Sequence, residues 1–149
     1  MASRPIRCLL VVEDDRAVRD LIVAFLRKGG YEDVITAGNA EEATHHIFKD
    51  SGLIIQAAIV DLVLPNASGL ALIRKIRNAK SSRRRGIPVI VLTSRTDTET
   101  YRAAVRRGIH HYLMKPVSPD MLLEAVSKVL GARRLGPAPP MPPKAAKGS

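Results

Sequence analysis

The stretch Cys8-Leu9-Leu10-Val11-Val12-Glu13-Asp14-Asp15 runs from five apolar residues directly into three acids. The apolar part reads as a strand, and the acids fall at its carboxyl end. Outward from this stretch the pattern recurs. Strands are expected at 7–12, 33–37, 55–60, 88–93 and 110–114, with Pro88 tolerated as a first strand residue because no ladder donor is lost there. Helix-period segments lie between them. Val18, Leu21, Ile22, Phe25 and Leu26 follow the i, i+3, i+4, i+7, i+8 spacing of one apolar stripe, which Gly29-Gly30 ends. Asn39 and Glu42 are spaced as a capping box that opens a second helix with Ala43 and Ile47 inside. Ile73 and Ile76 mark a third helix. Asp97 caps a fourth that turns Tyr101, Ala104 and Val105 inward. Ser118-Pro119 opens a fifth that buries Leu122, Val126, Val129 and Leu130. Five alternating βα units imply an α/β fold: a doubly wound, five-stranded parallel sheet.

The chain has 149 residues, enough for one domain with a proper core. No run approaches the roughly 18 apolar residues needed to cross a bilayer, and the N-terminus lacks a signal-peptide pattern, so a cytoplasmic protein is expected. The single cysteine, Cys8, sits in the first apolar run and reads as a small buried hydrophobe. A net charge of +10 favours an acidic partner such as nucleic acid or an anionic surface. Part of that charge is local. Arg133, Arg134, Lys144 and Lys147 lie beyond Gly131 with no acid among them, and Lys80 with Arg83-Arg84-Arg85 crowds one segment that reads as a solvated loop. Past Gly131 the apolar period stops, and Pro137, Pro139, Pro140, Pro142 and Pro143 disfavour helix and sheet. The expected organisation is a domain over 1–131 and an extended, mobile tail over 132–149. PxxP spacing within the tail reads as a proline-rich linker or end rather than a recognition ligand.

In an open parallel sheet, the loops leaving the carboxyl ends of the strands meet where strand order reverses, and ligands bind there. The expected strands end in Glu13-Asp14-Asp15, in Asp61, in Thr93-Ser94 and in Lys115-Pro116, all on one edge. Taken singly, each has a bland reading: Asp ends strands, Thr belongs in them, and Lys is commonly a solvated charge. Taken together, four consecutive strand ends supply carboxylates, a hydroxyl and an ammonium, while the opposite edge offers no comparable set. Neighbouring carboxylates repel, and a hard divalent cation such as Mg²⁺ relieves them while joining carboxylates to a phosphate. Lys115 adds a second positive charge. An ionised Asp61 is then a competent nucleophile toward phosphorus, and the product is an aspartyl phosphate.

These residues resemble bacterial response-regulator receiver domains, in a layout similar to the single-domain chemotaxis regulators. The resemblance covers roughly residues 6–130. It rests on Leu10-Val11-Val12-Glu13-Asp14-Asp15, on Val60-Asp61-Leu62-Val63-Leu64-Pro65 leading to Gly69, on Val91-Leu92-Thr93-Ser94, and on Tyr112-Leu113-Met114-Lys115-Pro116. It implies a flavodoxin-like receiver fold in which Asp61 is the phosphoacceptor. Asp14 and Asp61 would bind Mg²⁺ directly, Glu13 through water, and the Val63 carbonyl would complete the protein ligands. Thr93 would hydrogen-bond the phosphoryl group, Lys115 would pair with it, Tyr112 would change rotamer as the switch, and the Lys115-Pro116 bond would be cis. Implied partners are a sensor histidine kinase or phosphotransfer protein upstream and a protein target downstream.

Two departures from the family pattern matter. His110-His111 stands where many DNA-binding members carry paired acids that bridge a dimer, so a monomer or weak dimer is expected. The two histidines should not chelate one metal, since adjacent strand residues point to opposite faces. Val63 and Arg95, two residues beyond Asp61 and Thr93, occupy positions that in the family govern water access, which implies slow self-dephosphorylation.

Other readings are a receiver fragment of a longer DNA-binding regulator and an aspartyl-phosphate phosphohydrolase. The second fits poorly, because such enzymes carry an acid two residues after the nucleophile and Val63 is apolar. Direct nucleic-acid binding is not expected either. Arg83-Arg84-Arg85 precedes the fourth strand, on the edge away from Asp61. Five Phe and Tyr residues with no Trp give little stacking surface. No output domain fits after residue 131, so the chain acts alone or its tail is a linker stump. A switch protein is expected rather than an enzyme.

Overall fold

The computed structural model describes residues 5–49, 52–131 and 138–141. Along the chain it contains β1 (Ile6–Val12), α1 (Arg16–Lys28), β2 (Val34–Ala37), α2 (Ala40–Phe48), β3 (Leu53–Val60), β4 (Val63–Leu64), β5 (Ala67–Ser68), α3 (Gly69–Arg77), α4 (Ser82–Arg85), β6 (Val89–Thr93), α5 (Thr98–Arg107), β7 (His111–Met114) and α6 (Pro119–Gly131). The main sheet has the order β2-β1-β3-β6-β7, and every pair in it is parallel. The chain leaves β1 to one side for β2 and then crosses to the other for β3. The reversal therefore lies between β1 and β3, where the loops after them diverge and open a crevice.

Alternate residues of the central strands serve two cores. Leu10, Val12, Ala58, Val60 and Val91 pack with Ala43, Ile47, Ile73, Ile76 and Ala104 from α2, α3 and α5. Leu9, Val11, Ala57, Ile59, Ile90 and Leu92 face the other way, against Ile22 and Leu26 of α1 and Leu122, Val126 and Val129 of α6. The period-2 alternation of a strand thus becomes the two faces of a doubly wound sheet, as expected from sequence. Cys8 is buried, 1% exposed, among the apolar residues of the first core.

Helix ends follow local chemistry. After α1, Gly30 takes φ +98°, the Gly30 N–H donates to the Arg27 carbonyl, and the Tyr31 N–H donates to the Leu26 carbonyl. This paired closure needs the left-handed conformation that glycine adopts without a Cβ penalty. At α2 the Asn39 side chain accepts from the Glu42 N–H at 2.7 Å, as the spacing predicts. The reciprocal arm differs: Glu42 accepts from the Gly38 N–H, one residue before the cap. Asp97 caps α5 through the Thr100 N–H, and Ser118 caps α6 through the Met121 N–H.

The differences from sequence are small elements and one side chain, Leu21, which is exposed at the margin of the α1 stripe. β3 begins two residues before the expected 55–60, at Leu53. The two-residue strands β4 and β5, which pair antiparallel, were not expected. The Arg83-Arg84-Arg85 segment, read as a solvated loop, forms the short helix α4 capped by Ser81. The expected mobile tail falls largely at 132–137 and 142–149, outside the described residues. In 138–141, Pro139 is buried and its carbonyl accepts a hydrogen bond from the Tyr101 hydroxyl.

Candidate functional site

The crevice beside the strand reversal receives Glu13 and Asp14 from the end of β1 and Asp61 from the end of β3. Carboxylate oxygens of these three residues lie within 4.8 Å of one another. Glu13 is 1% exposed and Asp61 6%, whereas Asp14 is exposed. Asp15, the third acid of the run, does not join them; it caps α1 by accepting from the Val18 N–H at 3.1 Å.

Lys115, just past β7, brings its ammonium into the cluster. Nζ donates to Asp61 Oδ2 at 2.7 Å and to Glu13 Oε1 in a closer contact. One ammonium among three carboxylates leaves the site with excess negative charge. Burial pushes the Glu13 carboxyl up to about 7; the bonds from Lys115 oppose that rise, and the neighbouring Asp61 charge adds to it. Burial alone would lower Lys115, but its hydrogen bonds to Asp61 and Glu13 outweigh it and the ammonium is held above its ordinary range. The other Glu13 oxygen, Oε2, is buried with no hydrogen-bond partner. A buried carboxylate oxygen without a donor, on a residue of an acidic cluster, fits a hard cation or a water bound to one.

Asp61 is oriented from below. Its Oδ1 accepts from the Val63 N–H at 3.0 Å, so backbone fixes one oxygen while Lys115 takes the other. Val63, in β4, is 50% exposed, and only its N–H has a described contact at Asp61. Thr93, the last residue of β6, is 0% exposed, and its Oγ1 accepts from the Arg95 N–H at 3.3 Å. Tyr112 in β7 is also buried, with its hydroxyl donating to the Arg95 carbonyl at 2.8 Å. Arg95 thus has its N–H on Thr93 and its carbonyl on Tyr112. The Lys115-Pro116 peptide is cis.

Two contributors carried no sequence assignment. Arg19 of α1 donates to the Glu13 carbonyl at 2.9 Å and holds the acidic loop in place; on a helix of this charge it is indistinguishable from a solvated arginine until the fold is known. Gly69 presses the start of α3 against the chain after Asp61, and its N–H donates to the Leu62 carbonyl at 3.0 Å. The motif contains this glycine, but the reason for it is steric and three-dimensional.

His110 lies just before β7 and His111 opens it, and the two have different surroundings. The charged neighbours of His110 are Arg77 and His111, whereas those of His111 include Lys128 and Glu124 of α6. Among the described residues the one group of three or more metal-capable side chains is Glu13, Asp14 and Asp61. A cavity of about 630 Å³ lies elsewhere, between α2, α3 and α4 with Phe48, Ala71 and Lys75 in its lining. Volume and chemistry do not coincide here, and the convergent charges mark the site. No described helix is long and apolar enough to cross a membrane.

Comparison with known proteins agrees with this geometry. Residues 9–127 match the response regulator receiver domain. Chemotaxis protein CheY1 of Helicobacter pylori is 34% identical over 123 residues, covering 83% of this chain and 96% of that protein. A solved response regulator receiver protein of Pseudomonas putida superposes with a TM-score of 0.73 at 34% identity, covering 86% of this chain and 99% of the other. The receiver domain of a sensor histidine kinase of Pseudomonas aeruginosa, solved with a magnesium ion coordinated in its active-site cleft, gives a TM-score of 0.74 at 25% identity, covering 85% and 99%. The acid cluster at the sheet's reversal point, the parallel five-stranded fold and these matches together place the chain in the response regulator receiver family, the phosphoacceptor domains of two-component signalling.

Proposed function

We propose that this receiver takes a phosphoryl group onto Asp61, that Glu13, Asp14, Thr93 and Lys115 serve the transfer, and that Tyr112 carries the change outward. The observation supporting this most directly is the convergence of the Glu13, Asp14 and Asp61 carboxylates and the Lys115 ammonium in one crevice. The residues fit Mg²⁺, given the partnerless Glu13 Oε2 within that cluster. Asp14 and Asp61 would hold the ion directly, Glu13 through water, with the Val63 carbonyl completing the set. When bound, it offsets the negative charge of the carboxylates and of the arriving phosphate.

The rest follows from the chain's own groups. Lys115 pairs with Asp61 and offsets the charge that arrives there, while one carboxylate oxygen of Asp61 attacks phosphorus as the donor's leaving group departs in line. The Lys115 ammonium and the Thr93 hydroxyl then serve the oxygens of the new acyl phosphate. Thr93 engages Arg95 on its other side, and Arg95 carries the Tyr112 hydroxyl, so a shift of Thr93 toward the phosphoryl group is felt at Tyr112. Tyr112 occupies the inward position in this structure, and the switch is a population shift between this rotamer and an outward one.

The donor is a phosphohistidine on a sensor kinase or phosphotransfer protein, the reader is a downstream protein target, and the setting is cytoplasmic. The protein acts as a monomer or weak dimer and as a switch rather than a turnover enzyme. Exposed apolar Val63, two residues beyond Asp61, and Arg95, two beyond Thr93 and paired with Asp97, favour slow loss of the phosphoryl group. Incubation with acetyl phosphate and Mg²⁺, read by intact mass, should add one phosphoryl group to the full chain and none to Asp61→Asn. Labelling that survives this substitution would overturn the assignment. Sustained release of phosphate over many turnovers would favour a phosphohydrolase.

A further inference from the structure

We propose that the face built by α5 and β7 is a docking surface for an extended proline-bearing segment, and that its occupant is this chain's own stretch Ala138-Pro139-Pro140-Met141. In that stretch Pro139 is buried and Met141 half-buried, whereas Ala138 and Pro140 are exposed. A single proline is therefore seated and its neighbours are not. The Pro139 carbonyl accepts from the Tyr101 hydroxyl in a short contact. Tyr101 itself stands edge-on to Tyr112, with ring centroids 5.4 Å apart and an interplanar angle of 74°. Two of the chain's three tyrosines thus form one platform at this face.

The chemistry suits a proline segment. Prolines carry no N–H, so such a stretch closes no internal hydrogen bonds and presents its carbonyls outward as unpaired acceptors. A phenolic hydroxyl beside aromatic rings answers both needs, a donor for the carbonyl and a flat apolar surface for the ring. An extended proline stretch also loses little conformational freedom on docking. The segment follows α6 after only a short tether, so its effective concentration at the face is on the order of millimolar. A downstream protein that reads this face must displace it. Because Tyr101 rests on Tyr112, movement of Tyr112 would also alter the platform; this coupling depends on the switch proposed above, whereas the docking does not.

The test uses the full chain with Met141→Cys carrying a nitroxide; Cys8 is 1% exposed and does not compete for the label. Selective loss of amide signals from Tyr101 and its neighbours on α5, recovered in Tyr101→Phe, is expected. Signal loss confined to the end of α6, or spread evenly over the surface, would overturn the docking. Mixing spin-labelled protein with isotope-labelled, spin-free protein separates the occupants, and broadening of α5 in that mixture would overturn the intramolecular assignment in favour of a second copy. Acetyl phosphate and Mg²⁺ then test the coupling. Stronger broadening in protein whose mass shows the phosphoryl group is expected, because that group favours the inward Tyr112 on which Tyr101 rests here, and unchanged or relieved broadening in that protein would overturn the coupling. Absence of the mass change would instead mark failure of the acceptor reading.

Discussion

A methyl group at Gly69 would stand 2.3 Å from the carbonyl oxygen of Asp61 and 2.7 Å from the Cα of Leu62. Both are backbone atoms in the turn that presents the acceptor, so neither can swing aside as a side-chain end would. Gly69→Ala should therefore cost about 1–3 kcal/mol, the range for overpacking a tight site. Urea denaturation measures it, and a midpoint equal to that of the wild type would contradict the contact.

Arg77, at the end of α3, ties the end of α4 and the residues after it to the chain after α5, at the opposite edge of the sheet. Its guanidinium donates to the carbonyls of Gly108, Arg85 and Ile87 at 2.9, 2.8 and 2.7 Å. Arg77→Met leaves those acceptors without this donor and should lower stability by roughly 2–4 kcal/mol. Arg77→Lys should rescue little, because one ammonium cannot reproduce the planar fork. Thermal melts of the two variants check the comparison.

The His110 ring supplies a pH signature. Burial first, then Arg77 and His111, pushes its imidazole down to about 4 from an ordinary 6.5. The unfolded chain therefore binds this proton more readily than the folded one. The associated stability is complete above about pH 6.5 and is lost as pH falls through 4, with a loss on the order of 2 kcal/mol after allowing for the ring's partial exposure. Comparing wild type with His110→Gln isolates this from the opposite trend of Glu13. The stability difference between the two proteins should shift over that window, and parallel profiles would contradict it.

Metal binding should register as stability. An ion that binds the folded site at a hundred times its Kd contributes about 2.7 kcal/mol, so Mg²⁺ should raise the melting temperature and a chelator should return it. Asp14→Asn, which removes one of the three clustered carboxylates, should lose most of the rise. Equal rises in both proteins would place the ion elsewhere.

The sheet was readable because its strands are apolar runs that end in polar residues, and the site was readable because four such ends share an edge. Asp61 and Lys115 therefore needed no coordinates to be grouped. The hairpin of β4 and β5 escaped because two-residue strands carry no period. The Glu42 arm escaped because Gly38 and Asn39 offer neighbouring N–H groups that spacing cannot separate. The contact between Tyr101 and Pro139 joins residues far apart in the chain and leaves no local signature.

The arginines near α4 change what a net charge of +10 means. Arg84 Nε donates to the Ile47 carbonyl at 2.9 Å, Arg85 to the Ala79 carbonyl at 3.1 Å, and Arg77 to three more. These guanidinium groups act as rivets between loops, with their N–H forks turned toward peptide oxygens. A polyanion approaching that edge would have to compete with the protein's own backbone for them. Adsorption of this protein to heparin or DNA should therefore be weaker, and less sensitive to ionic strength, than counting its basic residues suggests.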